Sequence, residues 1–465
     1  MHPVAFVASF GSARAGSATE PSTRTGSRGP SVSPSGPGVG GLVRRALGAA
    51  AVVVLAACGG DGGGPTQIGP EPNGSIRGTV ADNTESIVAN AEVALTGNAQ
   101  AARTTTSNAS GVYTFEDVPP GNYALTITPP TGFTIGESAT AFVSVASGAQ
   151  AKPATIVLYR VAVDPGQWGL RARLLVNNSE FALAEANGKI YVLGGYPPEM
   201  GPNRTSRTVQ VYDIATNSWQ TGPQLPQPNN HGMAASVDGK IFLLGGQTTD
   251  DQNGATAVNS VYELDPARGT WVQKKGMPTA RSGGVAVALD GKIYVAGGRV
   301  PRGNDFAVYD VAADDWVTLP NLPSQRNHIA GVAINGRIHI VGGRLGNGLS
   351  PLKSDAHEVF DPQTETWTTA APLLSARSGI NAVMARGCFH LWGGEAPTGM
   401  TPQHEYYDPR TNTWTSLQPM PIPIHGVVGS AFVDGLIWVT GGGTNVGGAF
   451  GSLHNQVYRP AVSCE

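Results

Sequence analysis

The chain has 465 residues, enough for two or three domains. Its 63 glycines and 35 prolines, with only 14% charged residues, disfavour coiled coils and long amphipathic helices. This composition favours many short strands joined by tight turns. A net charge of −3 gives no field that would attract nucleic acid, and three cysteines exclude a disulfide-rich scaffold and a cysteine-based zinc site.

The first 58 residues predict a targeting region. Residues 1–42 are rich in glycine, serine, proline and alanine, which predicts a disordered leader or residues upstream of a translation start near Val43. Within residues 43–58, Arg44-Arg45 precede an apolar run that is too short to span a bilayer but fits a signal-peptide core. The run ends at Leu55-Ala56-Ala57-Cys58, which resembles the lipobox of bacterial lipoproteins.

That resemblance implies cleavage before Cys58 and attachment of lipid to its side chain and new amine; a plain secretory signal is the alternative. Residues 59–74, rich in glycine and proline, predict a flexible linker. We therefore expect a protein of the bacterial cell envelope, anchored by lipid on the extracytoplasmic side of a membrane, either periplasmic or on the cell surface.

Residues 75–160 predict a small β-sandwich. Apolar residues alternate in short runs, as in Gly111-Val112-Tyr113-Thr114-Phe115, and turn residues such as Pro119-Pro120-Gly121-Asn122 separate the runs. The order of these motifs resembles the carboxypeptidase regulatory-like domain, a prealbumin-like sandwich. In that family the module is usually a structural stalk, and it brings no catalytic residues.

Residues 161–465 contain a six-fold repeat. A glycine pair ends an apolar run six times, beginning at Gly194, Gly245, Gly297, Gly342, Gly393 and Gly441. The steps between the pairs are 51, 52, 45, 51 and 48 residues. An aromatic residue and then a tryptophan follow the first five pairs, as in Tyr212 and Trp219. This pattern resembles the kelch repeat, which implies a six-bladed β-propeller; the predicted fold class is therefore all-β.

The ends of the repeat predict how the ring closes. The sixth repeat has Tyr458 but lacks a following tryptophan, whereas Trp168 stands alone before the first glycine pair at the standard distance of 26 residues. We therefore expect the segment around Trp168 to supply the outermost strand of the last blade, so that no sheet edge stays open. Cys388 and Cys464 are candidates for a disulfide that would hold the C-terminal tail to a blade, since an oxidising compartment permits one; whether they pair stays open.

Two rings of residues are candidates for ligand binding, because kelch propellers commonly hold ligands in loops at one end of the axis. The first ring stands sixteen residues before each glycine pair: Asn178, Asn229, Arg281, Arg326, Arg377 and His425. The second directly follows each pair: Tyr196, Gln247, Arg299, Arg344, Glu395 and Gly443. The five arginines predict a cationic pocket for a carboxylate, sulfate or phosphate; a structural role in the repeat is the alternative.

Other polar groups are weaker candidates. His231 and His328 stand fourteen residues before their glycine pairs and could carry protons, although a structural role is expected more often. His357-Glu358 and His404-Glu405 are adjacent on strands and should point to opposite faces, so they make poor joint metal ligands. Glu395 could act as a general base or pair with Arg344 or Arg377.

Three classes of function remain. The first is a membrane-anchored binding protein, expected to be a monomer, whose funnel recognises a glycan, peptide or envelope protein. The second is an enzyme similar to the periplasmic sialic-acid mutarotases, which are also six-bladed kelch propellers with arginine-lined pockets. The third, a copper enzyme similar to galactose oxidase, lacks a suitable set of histidine and tyrosine ligands. No cofactor and no metal site are predicted.

Overall fold

A computed structural model describes residues 71–82, 86–98, 100–135, 140–197, 205–251, 253–299, 301–348, 350–447 and 450–465. Cys58, the predicted signal sequence and most of the predicted linker lie outside these residues. The described residues form strands and contain no helix, and accordingly no helix among them could cross a membrane.

Two sheets form the N-terminal sandwich. One sheet has the order β4-β1-β9-β6, with β8 also pairing with β1, and the other has the order β3-β2-β5-β7. Their strands are β1 Gly74–Asp82, β2 Glu92–Gly97, β3 Gln100–Thr106, β4 Val112–Val118, β5 Gly121–Thr128, β6 Phe133–Ile135, β7 Thr140–Val145, β8 Gln150–Ala151 and β9 Ile156–Arg160. The alternation of apolar residues predicted from the sequence places Tyr113, Phe115, Tyr123 and Leu125 in the core between the sheets.

The remaining strands form a propeller of four-stranded sheets. The described residues contain six such sheets, and we number them blades 1 to 6 from the order of their innermost strands. Blade 1 consists of β11 Phe181–Ala186, β12 Lys189–Leu193, β13 Val209–Asp213 and β14 Ser218–Thr221. Blade 2 consists of β15 Met233–Val237, β16 Lys240–Leu244, β17 Val261–Asp265 and β18 Thr270–Lys274. Blade 3 consists of β19 Val285–Leu289, β20 Lys292–Ala296, β21 Phe306–Asp310 and β22 Asp315–Thr318.

Blade 4 has the same strand order, blade 5 contains an additional hairpin, and blade 6 takes its outermost strand from the start of the propeller. Blade 4 consists of β23 Ala330–Ile334, β24 Arg337–Val341, β25 His357–Asp361 and β26 Thr366–Thr369. Blade 5 consists of β27 Asn381–Ala385, β28 Cys388–Trp392, β31 His404–Asp408 and β32 Thr413–Ser416, with a hairpin of β29 Glu395–Ala396 and β30 Gly399–Met400 between them. Blade 6 consists of β34 Ala431–Val433, β35 Leu436–Thr440, β36 Asn455–Tyr458 and β10 Trp168–Arg171, while β33 Val427–Val428 pairs with β11 of blade 1.

The ring closes as the sequence predicted. The segment around Trp168 forms the outermost strand of blade 6, with Trp168 opposite Tyr458 in an antiparallel pair. The indole of Trp168 donates a hydrogen bond to the carbonyl of Gln418 (3.1 Å), in the segment that follows blade 5. Because the first propeller strand completes the last blade, the two ends of the propeller are held in one sheet and β36 is paired on both sides.

Tryptophans join neighbouring blades around the whole ring. Six of the eight indoles, one from the outermost strand of each blade, donate a hydrogen bond of 2.8–3.1 Å to a carbonyl in the segment that follows the preceding blade. The pairs are Trp168–Gln418, Trp219–Ala172, Trp271–Pro223, Trp316–Lys275, Trp367–Pro320 and Trp414–Ala371. The fixed distance from tryptophan to glycine pair therefore reflects a contact that recurs in every blade.

Two further contacts secure the ends of the propeller. Cys388 of β28 and Cys464 form a disulfide with a Cα–Cα distance of 5.0 Å, which ties the C-terminal tail to blade 5. At the other end, Arg171 donates to the carbonyls of Arg160 (3.2 Å) and Val161 (2.8 Å). Asn217 of blade 1 donates to the carbonyl of Ile135 in the sandwich (3.0 Å), so the sandwich contacts the propeller directly.

Candidate functional site

Six residues at equivalent places in the repeat, one from each blade, form a ring around the propeller axis just before the innermost strands. We call this the axial ring: Glu180, His231, Gly283, His328, Gly379 and Gly426. Five backbone hydrogen bonds of 2.7–3.3 Å join its neighbours, each N–H donating to the carbonyl of the preceding member. All six residues have a left-handed backbone, with φ between 51° and 67°.

That backbone conformation separates the axial ring into two kinds of residue. Glycine adopts a left-handed backbone at no steric cost, and three blades have glycine there. Glu180, His231 and His328 adopt it with a full side chain, which costs roughly 1–2 kcal/mol per residue. Strain of this kind is concentrated at functional sites, and these are the three members whose side chains meet on the axis.

The three side chains belong to a buried polar group that we call the axial cluster. Its members are Glu180, Tyr196, His231, Arg299, His328, Arg344, Lys353, Glu395 and His425. Glu180 contacts His231 (Oε2 to Nε2, 3.1 Å) and His425 (Oε1 to Nε2, 3.3 Å).

Glu395 pairs with basic groups from three directions. Its carboxylate lies 3.2 Å from Arg344 Nη1 and 3.3 Å from Lys353 Nζ, and its other oxygen lies 3.3 Å from His425 Nε2. The predicted pairing of Glu395 with Arg344 is therefore present in the structure, and that with Arg377 is not among its contacts. Both carboxylates of the cluster thus face basic groups, as buried charges require.

Hydrogen bonds fix the orientation of the three imidazoles. The Nδ1 atoms of His231 and His328 lie 2.6 Å from the side-chain oxygens of Asn230 and Asn327, so Nδ1 carries the proton in both rings. Their Nε2 atoms then accept from Arg299 and Arg344, each at 2.9 Å.

The third imidazole, that of His425, differs in its protonation. Its Nδ1 lies 3.1 Å from the carbonyl of Gly443, and its Nε2 faces the carboxylates of Glu180 and Glu395. Both ring nitrogens therefore face acceptors, which favours the imidazolium form of His425. At His231 and His328 a guanidinium group donates to Nε2, which favours the neutral form.

The pKa values follow from these surroundings. Burial, aided by Arg299 and Arg344, lowers the pKa of His231 to about 3, although Glu180 opposes the shift. Burial opposes protonation of His425 too, but Glu180 and Glu395 outweigh it and raise its pKa. Burial would raise the pKa of Glu180, but its histidine neighbours and Arg344 hold it well below its ordinary value. These shifts favour an ionised Glu180 and a protonated His425, and they disfavour protonation of His231.

Loops cover the axial cluster. Its side chains enclose a cavity of about 10 Å³, which holds no more than one water molecule. The N–H of Gly447, in the loop between β35 and β36 of blade 6, donates to Glu395 (2.9 Å), and Gly254, in the loop between β16 and β17 of blade 2, lies against Arg299. The negative charges of Asp250 and Asp251, in the same loop of blade 2, favour the protonated forms of His231 and Arg299, respectively. The opposite end of the axis has a channel of about 390 Å³ lined largely by alanine, glycine and aliphatic residues of the innermost strands.

The predicted ring sixteen residues before the glycine pairs lies elsewhere. Its arginines and asparagines are buried and donate to backbone carbonyls or acidic groups of their own blades, as Asn178 does to Gly194 (2.6 Å), Asn229 to Gly245 (2.7 Å) and Arg326 to Gly342 (2.7 Å). We call Asn178, Asn229, Arg281, Arg326 and Arg377 the framework ring. A role for these five residues in ligand binding stays a prediction, and their contacts favour the structural alternative.

Two framework arginines also hold buried carboxylates, and a third does not. Arg326 pairs with Glu358, and Arg377 lies 2.6 Å from Glu405. Arg281 instead donates to the carbonyls of Val295 and Asp305.

Counting sixteen residues back from Gly441 gives His425, but this residue is not structurally equivalent to the framework ring. The sixth repeat has one additional residue, since the step from Trp414 to Gly441 is 27 rather than 26. The carbonyl that accepts from Gly394 N–H in blade 5 is consequently that of Ile424. His425 takes the next position along the chain and reaches the axial cluster with Arg299, Arg344 and Glu395.

Sequence reasoning missed Glu180, which occupies the place of His231 and His328 in blade 1, fourteen residues before its glycine pair. The shared offset was a signal that could have identified it. The sequence also did not single out Lys353, because that residue lies in the variable half of its repeat. His357 and His404 contact His339 and His390, while Glu358 and Glu405 pair with arginines, so the two adjacent pairs do point apart, as expected.

Two family models match parts of the chain. Residues 75–159 match the family model of the carboxypeptidase regulatory-like domain, and residues 180–373 match that of the KLHDC2/KLHL20/DRC7 Kelch-repeats domain. The Kelch-like protein terF of Aspergillus terreus is 36% identical over 144 residues, which cover 29% of this chain and 31% of that protein. Beta-scruin of Limulus polyphemus is 28% identical over 147 residues, covering 31% of this chain and 16% of scruin. The matches therefore span less than a third of these relatives.

A solved structure has the same fold. That structure, titled "Structure of YjhT", superposes with a TM-score of 0.51 at 16% sequence identity, covering 61% of this chain and 95% of that one. At this level of identity the likeness establishes the fold and nothing more. The chain therefore combines a carboxypeptidase regulatory-like domain with kelch repeats that form a β-propeller.

Proposed function

We propose that the propeller binds a small molecule with a carboxylate group, such as an acidic sugar or a peptide terminus, at the axial cluster. The observation that carries the proposal is the convergence of Arg299, Arg344 and Lys353 with three histidines at one end of the axis. Guanidinium groups suit carboxylates because their forked donors match the two oxygens. The framework arginines, in contrast, already donate through Nη1 to groups of their own blades.

Binding requires an exchange of partners. The cavity of about 10 Å³ is too small for a sugar, so the covering loops must move before a ligand enters. The loop between β35 and β36 of blade 6 is bonded to Glu395 through Gly447 (2.9 Å), and Glu395 in turn pairs with Arg344. A ligand carboxylate would take the place of Glu395 on Arg344, which releases this loop from the cluster.

Calorimetric titration of the full chain tests the proposal. N-acetylneuraminic acid and galacturonic acid are the probes, and galactose is the neutral control. Arg344→Met should weaken binding of an acidic probe more than tenfold, because a hydrogen bond to a charged group contributes roughly 1.5–3 kcal/mol.

Arg337→Met is the matched control, since Arg337 pairs with Asp361 on the exposed side of the same blade (2.9 Å). It should bind like the wild type. Equal binding by wild type and Arg344→Met, or binding of galactose as strong as that of the acids, would contradict the proposal.

A second candidate function is acid–base catalysis on the bound sugar, as the resemblance to sialic-acid mutarotases implies. It is favoured by one observation: ionised Glu180 and protonated His425 lie 3.3 Å apart. Interconversion of anomers needs one group to take a proton from the anomeric hydroxyl and another to give a proton to the ring oxygen. NMR spectroscopy of freshly dissolved N-acetylneuraminic acid would measure the rate. Glu180→Gln should abolish the acceleration of anomer interconversion yet still bind the sugar. If the wild type does not accelerate the interconversion, catalysis is contradicted and the binding function is unaffected.

We also propose that lipid on Cys58 anchors the protein on the extracytoplasmic side of a bacterial membrane. The order of basic pair, apolar run and Leu55-Ala56-Ala57-Cys58 supports this. Mass spectrometry of the mature N-terminus should find an acylated Cys58. An unmodified N-terminus at another residue would contradict the anchor without affecting the proposal for the propeller.

A further inference from the structure

We propose that Glu180, His231 and His328 bind one divalent transition-metal ion on the propeller axis. One ligand atom from each of the first three residues lies within 4.8 Å of the others, and all three side chains are buried. They come from blades 1, 2 and 4, so the closed ring brings them together. This inference does not depend on the proposed binding of a carboxylate.

The imidazoles are oriented as metal-binding histidines are. A histidine that binds a metal through one nitrogen generally donates its other N–H to a carbonyl or carboxylate, which fixes the ring. His231 and His328 do so through Nδ1, to the amide oxygens of Asn230 and Asn327 (2.6 Å each), and His425 does so to the carbonyl of Gly443 (3.1 Å). Each Nε2 is consequently directed toward the axis.

The size of the cavity and the backbone both favour a single ion. With the loops in place, a cavity of about 10 Å³ admits one atom of the size of a water molecule. The three proposed ligands are also the three members of the axial ring that adopt a left-handed backbone without being glycine. A site that requires these side chains gives a reason for the strain.

The donor set indicates the class of metal. Imidazole nitrogens with one carboxylate suit Zn²⁺, Co²⁺ or Ni²⁺ better than Mg²⁺ or Ca²⁺, which prefer oxygen ligands. The competitors are Arg299 and Arg344, whose guanidinium groups donate to the Nε2 atoms of His231 and His328 (2.9 Å each). Metal binding must displace these two contacts, and removal of a competing arginine should therefore strengthen it.

Titration of the chelator-treated full chain, without a histidine tag, with CoCl₂ tests the inference. Visible absorption reports Co²⁺ with nitrogen ligands, and elemental analysis gives the stoichiometry. We expect one Co²⁺ per chain, displaced by Zn²⁺, and at least tenfold weaker binding in His231→Gln and in His328→Gln. Arg299→Met should bind Co²⁺ more tightly than the wild type.

The matched control is His339→Gln, because His339 is a buried histidine that pairs with His357 within blade 4, away from the axis. It should bind Co²⁺ like the wild type, and thermal melting verifies that each variant is folded. The inference is overturned if the folded wild type binds no Co²⁺, if His231→Gln and His328→Gln bind it as the wild type does, or if Arg299→Met binds it more weakly. Acidic sugars are absent from this titration, so its failure leaves the proposed carboxylate site to be judged by its own experiment.

Discussion

The framework ring and the axial ring lie only two residues apart in each of the first five repeats, yet their side chains have different roles. Framework residues such as Arg326 bond to groups of their own blade, and their backbone is unstrained. Axial residues such as His328 adopt a strained backbone, and their side chains leave the blade to meet those of other blades on the axis. Proximity in sequence therefore does not decide whether a repeat position contributes to stability or to a site; the direction of the side chain does.

The largest effect is expected in the framework ring, at Arg326. Arg326→Ala leaves the buried Glu358 without its partner, which should lower the free energy of unfolding by about 3–5 kcal/mol. Chemical denaturation measures the loss. Arg337→Ala, which breaks the exposed pair with Asp361, should cost less than about 1 kcal/mol. A similar loss in both variants would mean that the framework ring does not have the stabilising role assigned to it.

The glycine members of the axial ring should be the next most sensitive. Gly379→Ala places a side chain at φ 63°, which should cost roughly 1–2 kcal/mol of unfolding free energy. Thermal and chemical denaturation measure the change. An Ala substitution that leaves stability unchanged would show that the left-handed backbone carries no strain here, and the argument from strain at Glu180, His231 and His328 would fail with it.

Buried histidines of the blades should make stability depend on pH. Burial lowers the pKa of His357 to about 4, so the unfolded chain binds a proton at this residue at higher pH than the folded chain does. Stability is fully present above about pH 6.5 and is lost as the pH falls toward 4, by about 1 kcal/mol at pH 5.5 for one such histidine. Denaturation of His357→Gln between pH 7.5 and 5.5 should give a correspondingly smaller decrease than the wild type; an equal decrease would contradict this assignment.

The smallest change in stability is expected where the axial ring carries histidine. His328→Gly relieves the strain at φ 54° but loses the bonds to Asn327 and Arg344, so the unfolding free energy should change by less than about 1 kcal/mol. Binding of Co²⁺ and of acidic sugars should nevertheless fall. A decrease of several kcal/mol in the free energy of unfolding would instead show that His328 has a structural role like that of the framework ring.

Much of the fold was predictable because the repeat encodes it. The glycine pairs and tryptophans occupy contacts that recur in every blade, so their spacing gave the repeats, and the unpaired Trp168 gave the closing strand. The pairing of Cys388 with Cys464 could not be decided from the sequence, because it depends on where the tail of the chain returns.

The site was less predictable, for two physical reasons. Residue types at one repeat position suggested a pocket of arginines, but the sequence does not show that Arg281, Arg326 and Arg377 have partners within their own blades. Glu180 differs chemically from His231 and His328, and only the shared left-handed backbone and the closed ring reveal that the three side chains converge. A comparison of residue types along the sequence therefore missed the convergence of these three side chains, which the equivalent backbone positions show.

The most direct test of the account is a high-resolution crystal structure of the full chain grown with N-acetylneuraminic acid. We expect electron density for the carboxylate at Arg299 and Arg344, with the loop around Gly447 displaced from Glu395 and the framework ring unchanged. Density in the channel at the opposite end of the axis or against the framework arginines, with the axial cluster still closed, would contradict the division of labour between the two rings.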